Sequence, residues 1–334
     1  MIDLETQTKL ALVIAGNFAG DEENTDPCNL LNYLPGELAD CCKFIEWSCQ
    51  PSSHYSMQMM LEMSDMFETL IEDGYTGVIV ISGSGVMEEM AYMADLLWKH
   101  PEPLIFANLM VQGRAGVEEG LMNLRCSVQA ALSANARDKG VMICSSGELF
   151  AASDAVMVDP TSTDNTFQSR EKGSVGKLLN DEIKFCRNVR RPEFLARRPH
   201  DAAQVEILWA SLGGGEKLVS MLAGSHDIDG LVLAGFGTGN VSPTWVPHIR
   251  NALRRRLPVA VVSRCFQGHV QETNHFEGGF YRLMEMGVMS GGKLNPYQAR
   301  IRMSLGIAAG LTDEGLKLYM LNQDVSEDSP VLYK

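Results

Sequence analysis

Residues 77–91 read GVIVISGSGVMEEMA, and this stretch decides the fold. Its apolar run at 78–81 is typical of a buried strand in a parallel sheet. A Ser-Gly-Ser-Gly turn follows at 82–85, and a helical pattern opens at Glu88. Because open α/β sheets bind ligands at the carboxyl ends of their strands, this turn is predicted to lie in a functional site.

Strand and helix patterns alternate along the rest of the chain. In the first half, the predicted strands are 10–15, 43–49, 77–82, 104–107 and 141–144, and the predicted helices are 56–72, 88–98 and 123–138. In the second half, the predicted strands are 205–210, 230–234 and 259–263, and the predicted helices are 217–222, 246–255 and a pair within 296–322. This alternation predicts an α/β fold whose N-terminal domain has a doubly wound parallel sheet.

A stretch rich in charge and proline at 187–204 interrupts the alternation and is predicted to separate two domains. We expect a larger N-terminal α/β domain over 1–195, a smaller C-terminal α/β domain over 196–323 and an acidic tail over 324–334. The chain has 334 residues, which is ample length for two hydrophobic cores.

Composition excludes several classes of function. The net charge of −14 argues against a nucleic-acid partner, because binding to phosphates needs clustered Lys and Arg. The acidic start MIDLE does not resemble a secretory signal, and the apolar run at 10–15 is too short to span a membrane. The eight cysteines lack zinc-site spacing and are typical of reduced thiols. We therefore expect a cytoplasmic protein without a membrane partner.

No cofactor is expected either. The turns at 83–85 and 235–239 are glycine-rich, but they lack the third spaced glycine and the later acidic residue of a dinucleotide-binding fingerprint. The Gly-Lys-Ser/Thr sequence of a phosphate-binding loop is absent, and no metal-binding motif is present.

Six stretches, taken in chain order, resemble the motifs of the bacterial-type L-asparaginase/glutaminase family. They are LVIAGNFA at 12–19, the stretch at 77–91, GLMNL at 120–124, GLVLAGFGTGN at 230–240, VVSRCFQG at 261–268 and LNPYQAR at 294–300. In the family, the corresponding motifs are the GGTIA turn, HGTDTMEETA, DGPMNL, GLVLEGxGxGN, SRxxxG and LNPQKAR. The resemblance covers nearly the whole chain and implies the two-domain asparaginase fold. It also implies a homodimer or homotetramer with sites between subunits.

The resemblance also implies that several catalytic positions are substituted. Family catalysis uses a Thr that attacks the side-chain amide of the substrate, and a second Thr assisted by an Asp and a Lys. Carried over, the first Thr is Asn17, the second is Ser84, the Asp is Gly85 and the Lys falls near Val158. A serine hydroxyl needs a neighbour that takes its proton. The inherited neighbours are gone, so ordinary asparaginase chemistry is not expected.

Three interpretations stay open. One is a repurposed enzyme that acts on an amide, ester or related acyl group of a small amino-acid-like molecule, for which specialised metabolism is a reasonable setting. Another is a catalytically silent homologue that binds a metabolite or a partner protein. The third is ordinary asparaginase activity through an altered set of residues. The polar groups that remain favour the first interpretation.

The candidate catalytic residues are Ser84, Asn17 and His54. Asn17 can donate to an oxyanion, as can the turn amides from Gly83 to Gly85. His54 follows the loop serines and is the best candidate for a newly acquired general base.

The candidate substrate-binding residues come from four loops. Ser52 and Ser53 keep the family's substrate-carboxylate loop, and Gly83 and Gly85 flank Ser84. Tyr33 lies where the family carries a mobile lid tyrosine, although a packing role is equally consistent. Asn240 matches an asparagine that reaches the neighbouring subunit's site. The candidate substrate-binding residues are thus Ser52, Ser53, Gly83, Gly85, Tyr33 and Asn240.

Overall fold

The computed structural model describes residues 9–16, 34–109, 113–180 and 182–321, without the side chains of 113–117. The chain divides into two compact units, Met1–Arg191 and Pro192–Lys334. The boundary proposed from the sequence, after residue 195, falls in the same proline-containing stretch. The proposed tail at 324–334 lies outside the described residues, as do Asn17 and Tyr33.

The N-terminal unit contains one large mixed sheet and a two-stranded sheet. The strands are β1 (Leu10–Ala15), β2 (Cys42–Ser48), β3 (Gly77–Ser82), β4 (Leu104–Asn108), β5 (Val141–Ser145), β6 (Glu148–Ala151), β7 (Ala155–Met157), β8 (Phe167–Ser169), β9 (Gly176–Leu179) and β10 (Glu182–Phe185). The large sheet has the order β10-β9-β6-β5-β4-β3-β1-β2, and β7 pairs with β8. The described helices of this unit are α1 (Gly36–Ala39), α2 (Met57–Glu72), α3 (Met87–Leu97) and α4 (Gly113–Leu132).

The order of the strands creates a switch point beside β1. The five strands from β1 to β5 pair in parallel, with β2 on one side of β1 and β3 on the other. The chain therefore reverses its winding direction between β1 and β3. In open α/β sheets, ligands bind outside the carboxyl ends of the strands at such a point.

The central strands are buried because helices cover both faces of a parallel sheet. All residues of β1 and β3 are buried, as their continuous apolar runs predict. Helix α2 begins after Ser56, whose side chain accepts a hydrogen bond of 3.2 Å from the backbone N–H of Met59. The methionines at the centre of this helix, Met60 and Met63, pack into the core.

The C-terminal unit is a smaller parallel-sheet domain. Its strands β11 (Val205–Trp209), β12 (Gly230–Gly235), β13 (Val259–Ser263) and β14 (Met289–Ser290) follow one another in that order. Its described helices are α5 (Glu216–Gly224), α6 (Val246–Arg254), α7 (Phe280–Glu285), α8 (Pro296–Ala308) and α9 (Asp313–Leu321). The predicted two-domain α/β fold is confirmed.

Two features of the N-terminal unit differ from the sequence-based expectation. Helix α4 begins at Gly113 and ends at Leu132, whereas the pattern predicted 123–138. The predicted end instead contains a 3₁₀ turn at Ala134–Ala136, which Ser133 caps by accepting a hydrogen bond from the backbone N–H of Asn135. The sequence also missed the antiparallel strands from β6 to β10, because segments of three or four residues carry little periodicity.

Candidate functional site

The candidate site lies at the carboxyl ends of β1, β2 and β3. The ends of β1 and β2 are joined by a hydrogen bond of 2.9 Å from the Gly16 N–H to the Ser48 carbonyl oxygen. Strand β2 leads to a 3₁₀ turn at Ser52–His54, and β3 leads to a second 3₁₀ turn at Ser84–Val86. The second turn follows β3, which borders the switch point, and the first turn follows β2, which pairs with the other bordering strand, β1.

The two 3₁₀ turns contact each other through Ser52. A Cβ atom at Gly83 would lie 3.2 Å from the Ser52 Oγ, and a Cβ atom at Gly85 would lie 3.4 Å from the same oxygen. The hydroxyl of Ser52 therefore faces the glycines on either side of Ser84. The absence of a side chain at Gly83 lets the Ser52 hydroxyl approach the backbone of the turn closely.

The other predicted residues of these turns are more open to solvent. Ser84 is half-buried, and Gly85 is exposed. Ser53 and His54 are both exposed. Within the described part of the chain, the His54 imidazole makes no hydrogen bond or ion pair, so the general-base role of His54 stays a prediction.

Asn240 is held within the C-terminal unit. Its Oδ1 accepts hydrogen bonds from the backbone N–H of Phe280, at 3.1 Å, and from the Nδ2 of Asn274, at 3.2 Å. Its backbone N–H and carbonyl both pair with Phe236. The side-chain oxygen of Asn240 thus anchors the start of α7, and its contact with a neighbouring subunit stays a prediction.

A carboxyl group that the sequence analysis did not assign to the site lies just after the Ser84 turn. Glu88, in the first turn of α3, accepts a hydrogen bond of 2.9 Å at Oε2 from the backbone N–H of Met157. Burial raises the pKa of Glu88 to about 7, although the hydrogen bond from Met157 acts in the opposite direction. This carboxyl therefore titrates near neutral pH, in the range where acid–base catalysis operates.

The contact of Glu88 also concerns the segment in which the resemblance places the family lysine. Val158 follows Met157 directly and is half-buried. Its backbone N–H donates to the Thr166 carbonyl oxygen at 2.9 Å. Glu88 thus contacts the backbone segment that would carry the family lysine. An acidic residue in the first turn of a helix interacts favourably with the helix dipole. The sequence pattern around Glu88 therefore indicated only the start of a helix.

A row of polar residues ends the three neighbouring strands β3, β4 and β5. Ser82, Asn108 and Ser145 are each fully buried, and Ser82 pairs in register with Asn108. The Asn108 Nδ2 donates to the Ser145 Oγ at 3.4 Å. Asn108 was not among the predicted site residues, because the predicted strand ended at residue 107. A polar residue directly after an apolar strand was the available signal.

The described residues contain neither a metal-binding cluster nor a membrane-spanning helix. No group of three or more His, Cys, Asp and Glu side chains there could hold a metal ion. None of the described helices combines the length and the apolar character needed to cross a membrane.

The switch-point site and the smaller parallel-sheet unit define a two-domain α/β protein of the doubly wound class. A family model described as "Asparaginase, N-terminal" matches residues 14–191, and one described as "Glutaminase/Asparaginase C-terminal domain" matches residues 204–320. The chain belongs to the asparaginase family. The resemblance inferred from the sequence motifs is confirmed.

Individual relatives are similar over most of their length. L-asparaginase of Bacillus licheniformis is 26% identical over 321 residues, which cover 92% of this chain and 98% of the relative. L-asparaginase 2 of Bacillus subtilis (strain 168) is 24% identical over 276 residues, which cover 80% of this chain and 70% of the relative. The crystal structure of the probable cytoplasmic L-asparaginase from Campylobacter jejuni superposes with a TM-score of 0.84 at 23% identity, covering 94% of this chain and 99% of that one.

Proposed function

We propose that the protein is an asparaginase-fold enzyme with a remodelled active site. It acts on an amide, ester or related acyl group of a small amino-acid-like molecule. Specialised metabolism is a reasonable setting for such a reaction. The protein works in the cytoplasm as a homodimer or homotetramer.

The observation that carries this proposal is the approach of Ser52 to the turn around Ser84. The distance of 3.2 Å between the Ser52 Oγ and a Cβ position at Gly83 brings two hydroxyl-bearing turns together at the switch point. A substrate carboxylate held by the Ser52–Ser53 loop would then lie beside the Ser84 turn. Such positioning beside a nucleophile is a major source of rate enhancement.

In the proposed reaction, the Ser84 Oγ attacks the acyl carbon of the substrate and transfers its proton to a base. His54 is the proposed base, and the Asn17 side chain and the turn amides stabilise the oxyanion. Collapse of the tetrahedral intermediate breaks the bond to the leaving group, which takes up a proton. Water then hydrolyses the ester at Ser84 and releases the acid.

A screen with hydroxylamine tests the proposal. Small amides and esters that carry an α-amino and an α-carboxyl group are incubated with the protein, and acyl transfer is detected as hydroxamate. We expect at least one of them to yield a hydroxamate, and we expect the yield to fall in Ser84→Ala. Equal hydroxamate yields from the wild type and from Ser84→Ala would mean that the Ser84 hydroxyl does not take part in the reaction.

The second candidate function is a catalytically silent homologue that binds a metabolite or a partner protein. The specific observation in its favour is the apolar side chain of Val158 near the position that the resemblance assigns to the family lysine, together with Gly85 at the position that it assigns to the family aspartate. Neither residue can take up or donate a proton. This alternative predicts ligand binding without conversion of any compound in the screen.

A further inference from the structure

A buried polar network lies behind the ends of β4 and β5, and two of its oxygens lack a hydrogen-bond donor. They are the Oε2 of Glu119 and the Oδ1 of Asn108, neither of which has a partner among the described residues. Glu119 is 5% exposed and Asn108 is 0% exposed. A buried acceptor without a donor is destabilising, so the pair requires an explanation.

Hydrogen-bond donors from Asn123 and Ser146 surround one oxygen of the Glu119 carboxyl group. Its Oε1 accepts hydrogen bonds from the Asn123 Nδ2 at 3.0 Å and from the Ser146 backbone N–H at 3.2 Å. The Ser146 hydroxyl donates to the same oxygen at 3.5 Å. Hydrogen bonds of this kind favour the ionised form of a carboxyl group. The Oε1 atom of Glu119 therefore accepts several hydrogen bonds, whereas the Oε2 atom has no donor among the described residues.

Asn108 belongs to the same network through Asn123. The Asn123 Nδ2 donates both to the Glu119 Oε1 and, at 2.9 Å, to the backbone carbonyl of Asn108. The Asn123 Oδ1 accepts from the Gly147 N–H at 3.0 Å, which fixes the orientation of its amide group. Glu119 and Asn108 thus both contact one immobilised amide nitrogen.

The electrostatic surroundings favour a positive ligand. Burial raises the pKa of Glu119, and the negative charge of the exposed Asp164 raises it further. The hydrogen bonds from Asn123 and Ser146 act in the opposite direction. A bound cation would reverse both effects, because it stabilises the carboxylate form directly.

We propose that Glu119 Oε2 and Asn108 Oδ1 bind a small monovalent cation, such as ammonium, potassium or sodium. Both unpartnered atoms are acceptors and together they carry one negative charge, so a singly charged cation matches them. Divalent ions fit less well, because Ca²⁺ sites often contain several carboxylates, whereas this pair supplies one. This site is distinct from the Ser84 turn and does not depend on the proposed chemistry there.

The test compares thermal unfolding of the full chain in different chloride salts at equal ionic strength and mildly alkaline pH. The salts are those of ammonium, potassium, sodium and tetramethylammonium, the last being too large for a buried site. A ligand that binds only the folded state raises the unfolding temperature. We expect at least one small cation to raise Tm by a few degrees over tetramethylammonium, with a saturable dependence on its concentration.

Two substitutions assign the effect to this network. Glu119→Gln removes the charge and places an amide donor on the side chain, so the difference in Tm between salts should disappear. Asn108→Asp adds a second charge and should lower the cation concentration needed for half of the effect. Glu118→Gln, an exposed neighbour on the same helix, is the matched control and should behave as the wild type.

Two results would overturn the proposal. One is an unfolding temperature that is the same in all four salts for the wild-type protein, which would indicate that a proton or a water molecule satisfies the two oxygens. The other is a cation effect that persists unchanged in Glu119→Gln, which would place the bound ion elsewhere in the protein. The wild-type comparison stays informative even if one of the variants does not fold.

Discussion

The Glu88 carboxylate accepts a hydrogen bond of 2.9 Å from the backbone N–H of Met157. This contact joins the helix that follows the Ser84 turn to the segment in which the family pattern places a lysine. The helix start and that segment are therefore coupled by an ionisable group. Because burial raises the pKa of Glu88 to about 7, the coupling responds to pH near neutrality.

The first prediction concerns the dependence of stability on pH. The pKa of Glu88 is about 7 in the folded protein, against an ordinary value of 4.5. A raised pKa means that the folded state binds the proton more tightly. The stabilising contribution is therefore complete below about pH 4.5 and is lost as the pH rises through 7. At about 1.4 kcal/mol per pKa unit, the difference between 4.5 and about 7 corresponds to a loss of at most roughly 3.5 kcal/mol.

Glu88→Gln keeps an acceptor for the Met157 N–H but removes the ionisation. We expect the free energy of unfolding of this variant, measured by denaturant titration, to fall less than that of the wild type between pH 4.5 and 7. Glu62→Gln, which changes an exposed carboxyl group on helix α2, serves as the control and should keep the wild-type slope. Identical slopes in the wild type and Glu88→Gln would disprove the assignment.

The second prediction concerns asparagine itself. We expect ammonia release from asparagine or glutamine to stay near background, because Gly85 cannot hold an α-ammonium group and Val158 cannot act as a base. The loss of triad members reduces enzymatic rates by orders of magnitude. A coupled ammonia assay checks this. Turnover at an ordinary enzymatic rate, on the order of 10 per second, would contradict it.

A substitution at Gly85 extends this test to binding. A Cβ atom there would be 3.4 Å from the Ser52 Oγ, which is an ordinary contact, so a side chain can be accommodated. Gly85→Asp supplies a charge for the α-ammonium group. A charge-assisted hydrogen bond contributes roughly 1.5–3 kcal/mol. We expect calorimetry to show roughly ten- to a hundredfold tighter asparagine binding than in the matched Gly85→Asn control.

The third prediction separates the two loop serines. Ser52 faces the Ser84 turn and is half-buried, whereas Ser53 is exposed. Ser52→Ala should raise KM for a substrate found in the hydroxamate screen by about tenfold, as expected for a lost hydrogen bond to a charged group. Ser53→Ala should have a smaller effect. An equal or larger effect of Ser53→Ala would reverse the proposed roles.

The fourth prediction concerns assembly. We expect sedimentation velocity to show a dimer or larger species, because the carried-over role of Asn240 requires a neighbouring subunit. The C-terminal unit supplies apolar surface for such an interface, since Leu212 is 100% exposed and Met221 is 71% exposed. A clean monomer at micromolar concentration would remove Asn240 from the proposed site.

The fold was most predictable where burial dictates the sequence. The predicted strand bounds at 10–15, 77–82 and 259–263 agree with the structure. Strands that are buried on both faces have continuous apolar sequences, which makes their ends easy to recognise. Helix α4 was misplaced, and the short antiparallel strands from β6 to β10 were missed. Their pairing depends on partners distant in sequence, which local periodicity does not report.

The candidate site was predictable only in its outline. The turn at Ser84 and the loop at Ser52 follow from strand ends and glycines, and the structure brings these two turns into contact. Glu88 could not be recognised in advance, because its raised pKa depends on burial and on a hydrogen bond from Met157 far along the chain. Asn108 and Glu119 likewise acquire their significance from tertiary packing.

Conversion of a small amide or ester by the wild type, Ser84→Ala and Asn17→Ala is the most direct test of the central claim. We expect a broad metabolite screen to find a converted compound, and we expect at least one of the two substitutions to abolish its turnover. If Ser84 is the nucleophile or a proton relay, Ser84→Ala loses activity while the stability changes by no more than about 1 kcal/mol. If the reaction depends mainly on polarisation of the substrate carbonyl by Asn17 and the turn amides, Asn17→Ala should lower the rate by about 10²–10³. Ser84→Ala should then lower the rate by less. Binding of metabolites without any conversion would contradict the account.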